Sequence, residues 1–87
     1  MGKDRERKPR GEPLPFALAR GAAHVELQQL LKATGACGSG GEAKHAVKDG
    51  RARVNGEVET RRGRKLVPGD LVAFDGRVWR VLAPPTA

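Results

Sequence analysis

One cysteine, no tyrosine, two phenylalanines and one tryptophan occur in the 87 residues. With Cys37 alone, no intramolecular disulfide can form, and a reducing compartment is expected. With Phe16, Phe74 and Trp79 as its only aromatics, the chain lacks the stacking platforms on which single-strand binders seat successive bases. No apolar run approaches the roughly 20 residues of a membrane span. The N-terminus is charged and lacks the apolar centre of a secretory signal. Met1-Gly2 opens like a myristoylation signal, but Glu6 stands where Ser or Thr is required. The expected location is the cytoplasm, with no membrane partner.

Chemistry is also missing. No Ser-His-Asp, Cys-His, paired-carboxylate or phosphate-loop arrangement occurs, so no catalytic role is expected. His24, Cys37 and His45 are the only good soft metal ligands, and their spacing matches no zinc pattern. No metal and no cofactor are expected. A chain of this length fits one small domain, with a thin core and little room for a deep small-molecule pocket.

What the chain does have is positive charge. Seventeen Lys and Arg against ten Asp and Glu give a formal charge of +7. Such a balance is the usual footprint of a nucleic-acid binder, and it also suits an anionic membrane surface or an acidic protein partner. The charge is concentrated: residues 44–65 hold eight basic and three acidic side chains, a local excess of +5. The plain alternative is a solvated face kept soluble by Lys and Arg.

Residues 1–13, MGKDRERKPRGEP, are polar and of mixed charge, and are expected to be a disordered basic tail. A folded domain is expected over residues 14–83, with a short tail at 84–87. Phe16 and Leu18 suggest a short extended segment. Leu27, Leu30 and Leu31 recur at helical spacing and Gly35 supplies a stop, which predicts a first helix over 25–33. Ser39 and Glu42 have the S-x-x-E spacing of a capping box. They predict a second helix over 40–49, with Ala43, Ala46 and Val47 buried and Gly50 closing it. Asn55-Gly56 predicts a hairpin flanked by Val54 and Val58, both able to face one core. RRGRKL at 61–66 reads as a basic connection. Pro68-Gly69 and Asp75-Gly76 mark later turns around β-rich runs at 71–74 and 78–82. The expected class is α+β, with two helices packed on a small antiparallel sheet of short hairpins.

Lys44 and Lys48 share one face of the second helix, and Arg51 and Arg53 carry the stripe into the hairpin. Arg61, Arg62, Arg64 and Lys65 supply a second cluster. Ser39, Gly40 and Gly41 open the second helix, where free N–H groups and the dipole suit a phosphate. A capped turn needing no ligand explains them equally. Glu57 and Glu59 read as balancing neighbouring arginines, and Asp70 as serving its turn.

In that order, HVELQQLLKATG, SGGEAKHAVKDGRARVNG, ETRRGRKL and PGDLV resemble the RNA-binding domain first described in small-subunit ribosomal protein S-four. The likeness is nearest to its small stand-alone bacterial form, the YbcJ type, and runs from about Phe16 to Val81. The resemblance implies the two-helix αL motif on a short sheet. It also implies binding of structured RNA, such as ribosomal RNA, transfer RNA or a stem-loop, by the second helix and first hairpin. Carried onto matching positions, the contacts are Ser39, Lys44, Lys48, Arg51, Arg53 and Asn55, with Arg61, Arg62, Arg64 and Lys65 beside them. Many members place an arginine after the capping serine, where this chain has Gly40. The expected function is therefore non-enzymatic RNA binding. The alternative is a basic adaptor or targeting subunit that docks on an acidic protein, a ribonucleoprotein or an RNA-modifying enzyme.

Overall fold

The computed structural model describes residues 12–85. The expected tail at 1–13 lies outside them except for Glu12 and Pro13. The order is β1 (Leu14–Ala17), β2 (Val25–Glu26), α1 (Leu27–Ala33), α2 (Gly40–Lys48), β3 (Ala52–Val54), β4 (Glu57–Val58), β5 (Lys65–Leu66), β6 (Leu71–Phe74) and β7 (Arg77–Leu82). This is the α+β architecture of two helices against short strands.

The leucine stripe of α1 and the small residues of α2 meet in the core. Leu27, Leu30 and Leu31 pack with Ala43, Ala46 and Val47 over Ala52, Val54, Leu66, Val72, Phe74, Trp79 and Val81. Neither helix could persist alone at seven and nine residues, so the shared core holds both. Ser39 caps α2, its Oγ accepting from the Glu42 N–H at 3.1 Å. The reciprocal arm differs from the capping box, because the Glu42 carboxylate accepts from the Gly38 N–H.

Both hairpins turn through paired positive φ values, 54° and 86° at Asn55-Gly56 and 51° and 79° at Asp75-Gly76. These are the values of a turn whose twist matches that of its strands. The resulting sheet has the order β1-β7-β6-β3-β4.

Three expectations need correction. The sheet is mixed rather than antiparallel throughout, because β1 pairs with β7 in parallel, Leu14 opposite Trp79. Local turns dictate the antiparallel hairpins, whereas β1 and β7 come from opposite ends of the fold and no turn links them. Val25 and Glu26 are not helical but pair with Leu66 and Lys65 in a separate two-stranded ladder. Two residues show no periodicity, so both halves of that ladder are hidden within neighbouring patterns. Val58 stays half exposed while Val54 is buried, so the two do not share a core. Val58 lies opposite Arg53 on the edge strand β4, and Val54 lies opposite Glu57.

Candidate nucleic-acid interface

The basic segment between β4 and β5 is tied down. Leu27 and Gln28, at the start of α1, donate their N–H groups to the carbonyls of Arg64 and Arg62 at 2.9 and 3.0 Å. The first turn of a helix has free donors, and here the basic loop supplies their acceptors. Arg64 N–H donates to the Arg61 carbonyl at 3.1 Å, closing a turn within the loop.

Beneath the loop lies Glu59, the one buried charged side chain among the described residues. Its Oε2 accepts from the Arg61 backbone N–H at 3.1 Å and from Arg61 Nε at 2.9 Å. Its Oε1 accepts from Arg61 Nη2 at 3.2 Å and Arg64 Nη1 at 2.7 Å. The hydrogen bond from the Arg61 side chain, with those from its N–H and from Arg64, holds the Glu59 carboxyl at about 2, against the opposing effect of burial. Glu59 is therefore an anion throughout the physiological range, and Arg61 and Arg64 are partly neutralised by it.

Residues of this loop line two separate hollows. Thr60 and Arg62 line an open cleft of about 290 Å3 with Lys44 and Lys48 of α2. Arg61, Gly63, Arg64 and Lys65 line a wider depression of about 510 Å3. Lys44, Lys48, Arg62 and Lys65 make no ion pair and donate no side-chain hydrogen bond among the described residues. The cleft thus gathers three open cations and a hydroxyl, donors well matched to a phosphate.

The other expected contacts stand differently. Asn55 is engaged within the protein: its Nδ2 donates to Asp70 Oδ1 at 3.1 Å, and its Oδ1 accepts from the Leu71 N–H at 3.0 Å. Arg51 donates to Asp75 at 3.1 Å and lies 5.1 Å from the centroid of the Phe74 ring. Arg53 is exposed on β3, with one long contact of 3.5 Å to the Gly56 carbonyl. Ser39, Gly40 and Gly41 are exposed at the start of α2, but Glu42 already places a carboxylate at that end. The expected group therefore divides. Lys44, Lys48 and Arg62 converge, Arg61, Arg64 and Lys65 adjoin them, and Arg51, Asn55 and the helix start stand apart.

Reading the sequence missed Thr60, whereas Glu59 does balance neighbouring arginines, pairing with Arg61 and Arg64. Asp70 serves both turns, because its Oδ2 also accepts from the Val67 N–H at 2.9 Å. Burial, with Glu42 nearby, pushes the Cys37 thiol above its ordinary value, which suits a packed residue better than a reactive one.

The family model described as S4 domain matches residues 18–82. The Escherichia coli protein named "Putative RNA-binding protein YbcJ" is 47% identical over 60 residues, which is 69% of this chain and 86% of that protein. "Probable ribosome maturation protein RlbA" of Bacillus subtilis is 42% identical over 52 residues, covering 60% of this chain and 73% of that protein. The solution structure of E. coli YbcJ, described as revealing an αL motif involved in RNA binding, superposes with a TM-score of 0.62 at 43% identity. The superposition covers 79% of this chain and 86% of YbcJ. With its two-helix motif, its basic loop and most of its length inside the matched region, this chain belongs to the S4 domain family.

Proposed function

We propose that the protein is a non-enzymatic RNA-binding module that grips structured RNA by its phosphate backbone. Lys44, Lys48, Thr60 and Arg62 form the central seat, with Lys65, Arg61 and Arg64 extending it and Arg53 at its margin. The observation that carries this reading is the cleft between α2 and the 59–65 loop, which collects three cations with no opposing carboxylate among its lining residues. Family membership and the names of the YbcJ relatives support it. Scarce aromatics argue against base stacking and for recognition of duplex shape and backbone.

Such contacts position a protein on RNA without reading sequence. The Bacillus relative, named for ribosome maturation, makes ribosomal RNA the first RNA to test. Ser39, Gly40 and Gly41 remain as a secondary phosphate contact. Arg51 and Asn55 serve the protein's own structure.

The test is a titration of the protein against a ribosomal RNA stem-loop, its single strand and duplex DNA at several salt concentrations. Four open cations predict a log–log salt slope of about −2.8 to −3.6. Preference for the stem-loop with that slope supports the reading. A slope near zero, or binding only to a protein in nuclease-treated extract, would replace it with the adaptor.

A further inference from the structure

We propose that Glu59, although negatively charged and buried beneath the loop, is a positioning residue of the RNA face. By holding Arg61 and Arg64 it sets the loop so that Thr60 and Arg62 face Lys44 and Lys48 across the cleft. This inference rests on the RNA-binding reading above and names the residue on which the geometry of that site depends.

Among the described residues, Glu59 is the one side chain that restrains the loop from inside. It accepts four hydrogen bonds, three from Arg61 and one from Arg64. Arg62 lies between those two residues, and its carbonyl and that of Arg64 accept from the start of α1. The backbone around Arg62 is therefore fixed on both sides. The Arg62 side chain, which has no ion pair among the described residues, is left to point into the cleft. Without the carboxylate, Arg61 and Arg64 would be released and would repel each other and Arg62, and the loop would lose its inner anchor. The carboxylate also stays charged, because its carboxyl is held well below the ordinary range.

The inference has an unusual sign. Replacing Glu59 by a neutral residue raises the net charge of a basic protein by one. Charge alone predicts tighter RNA binding with a steeper salt slope. Positioning predicts weaker binding, because an oriented seat is replaced by a mobile one. The two explanations cannot both hold for one variant.

The experiment measures stem-loop affinity and salt slope for the full-length wild type, Glu59→Gln, Arg62→Gln and the double variant, with Tm from circular dichroism. If Glu59 acts by placing Arg62, Glu59→Gln weakens binding about tenfold, as expected when one charge-assisted hydrogen bond to phosphate is no longer made. Its effect also largely disappears when Arg62 is already Gln, because the two act through the same phosphate. Equal or tighter binding by Glu59→Gln, or additive effects in the cycle, would overturn the inference. If Glu59→Gln does not fold, the variant Arg61→Lys with Arg64→Lys decides. It keeps every charge but removes the planar forks that grip the carboxylate. Weaker binding at unchanged net charge that largely disappears when Arg62 is already Gln supports the inference, and wild-type affinity, or an equal loss in the Arg62→Gln background, overturns it. Failure of the wild type to bind RNA in a salt-dependent manner would remove this inference together with the RNA-binding reading. Normal wild-type binding with an indifferent Glu59→Gln would remove this inference alone.

Discussion

Arg51 and Arg77 lie over the rings at the second hairpin: Arg51 bonds to Asp75 and lies over Phe74, and Arg77, with no ion pair among the described residues, lies 5.2 Å from the centroid of the Trp79 ring. Lys44, Lys48 and Arg62 face a cleft whose lining holds no carboxylate. Counting charges along the chain puts Arg51 in the same basic stretch, residues 44–65, as Lys44, Lys48 and Arg62. The structure separates charge packed over aromatic rings from charge that lines an open cleft without an ion pair among the described residues. Arginine suits the first use because its flat, weakly hydrated guanidinium stacks on rings. Three cations around an open space repel one another, and an anion seated among them relieves that repulsion.

The sharpest way to break this contrast is to reverse the open set. Lys44→Glu, Lys48→Glu and Arg62→Glu together are expected to weaken stem-loop binding by at least about a hundredfold, given ~1.5–3 kcal/mol for each charge-assisted hydrogen bond removed. Tm should stay close to that of the wild type, because all three are exposed and none is paired among the described residues. Arg51→Glu with Arg77→Glu should do the opposite, lowering Tm by uncovering the two rings while leaving most of the affinity. Titration and thermal melts of the two variants side by side decide it. Comparable affinity losses would mean that the whole basic surface acts as one field.

Arg61→Glu with Arg62→Glu joins the two uses in one variant. Judged as a free loop cluster, the pair would affect only binding. Because the Arg61 side chain makes two of the four hydrogen bonds to Glu59, its reversal removes them and sets two carboxylates against each other. Binding is expected to fall more than tenfold, and Tm to fall as well. An unchanged melting curve would show that the loop does not depend on that clamp.

How much of this is legible follows from where each signal is stored. The leucine stripe of α1, the Ser39 cap of α2 and the two hairpin turns are written in neighbouring residues, and the structure contains all of them. The parallel pairing of β1 with β7 and the Val25–Leu66 ladder join distant residues through no turn or period, so the sequence alone does not yield them. The site divides in the same way. Lys44 and Lys48 follow from helical spacing, but the convergence of Arg62 on them depends on how the loop is anchored to the start of α1. Asn55 reads as an RNA contact because its partner Asp70 lies fifteen residues away. A turn asparagine that bonds across to another loop has the same local sequence as one that faces a ligand.

Acid provides a smaller and more specific probe of the clamp. The Glu59 carboxyl sits at about 2 rather than at its ordinary value of 4.5. A carboxyl lowered in the folded state contributes stability that is present above the ordinary value and is lost as pH falls toward the lowered one. Tm should therefore decline between pH 4.5 and about 2, and the decline should be shallower in Glu59→Gln. Parallel curves for the two proteins would place the acid sensitivity in other carboxylates. Lys44→Gln and Lys48→Gln leave Glu59 and its hydrogen bonds in place, so both should follow the wild type.

The smallest effect expected is that of Arg51→Gln, and it sharpens the contrast most finely. Arg51 and Asp75 are each about half exposed, at 53% and 50%. An ion pair so open to water contributes at most about 1 kcal/mol, and often less. The guanidinium over Phe74 adds a comparable small amount. A modest fall in Tm is therefore expected, with stem-loop affinity within about twofold of the wild type and the salt slope unchanged. The slope is the decisive reading, because it counts the cations that meet phosphate regardless of how tightly the protein folds. If Arg51→Gln lowers the slope by nearly one phosphate's worth, Arg51 leaves Asp75 to meet the RNA. The boundary between structural and open charge would then lie beyond the second hairpin. If the slope holds, the ion pair persists in the complex and the RNA footprint stays with α2 and the 59–65 loop.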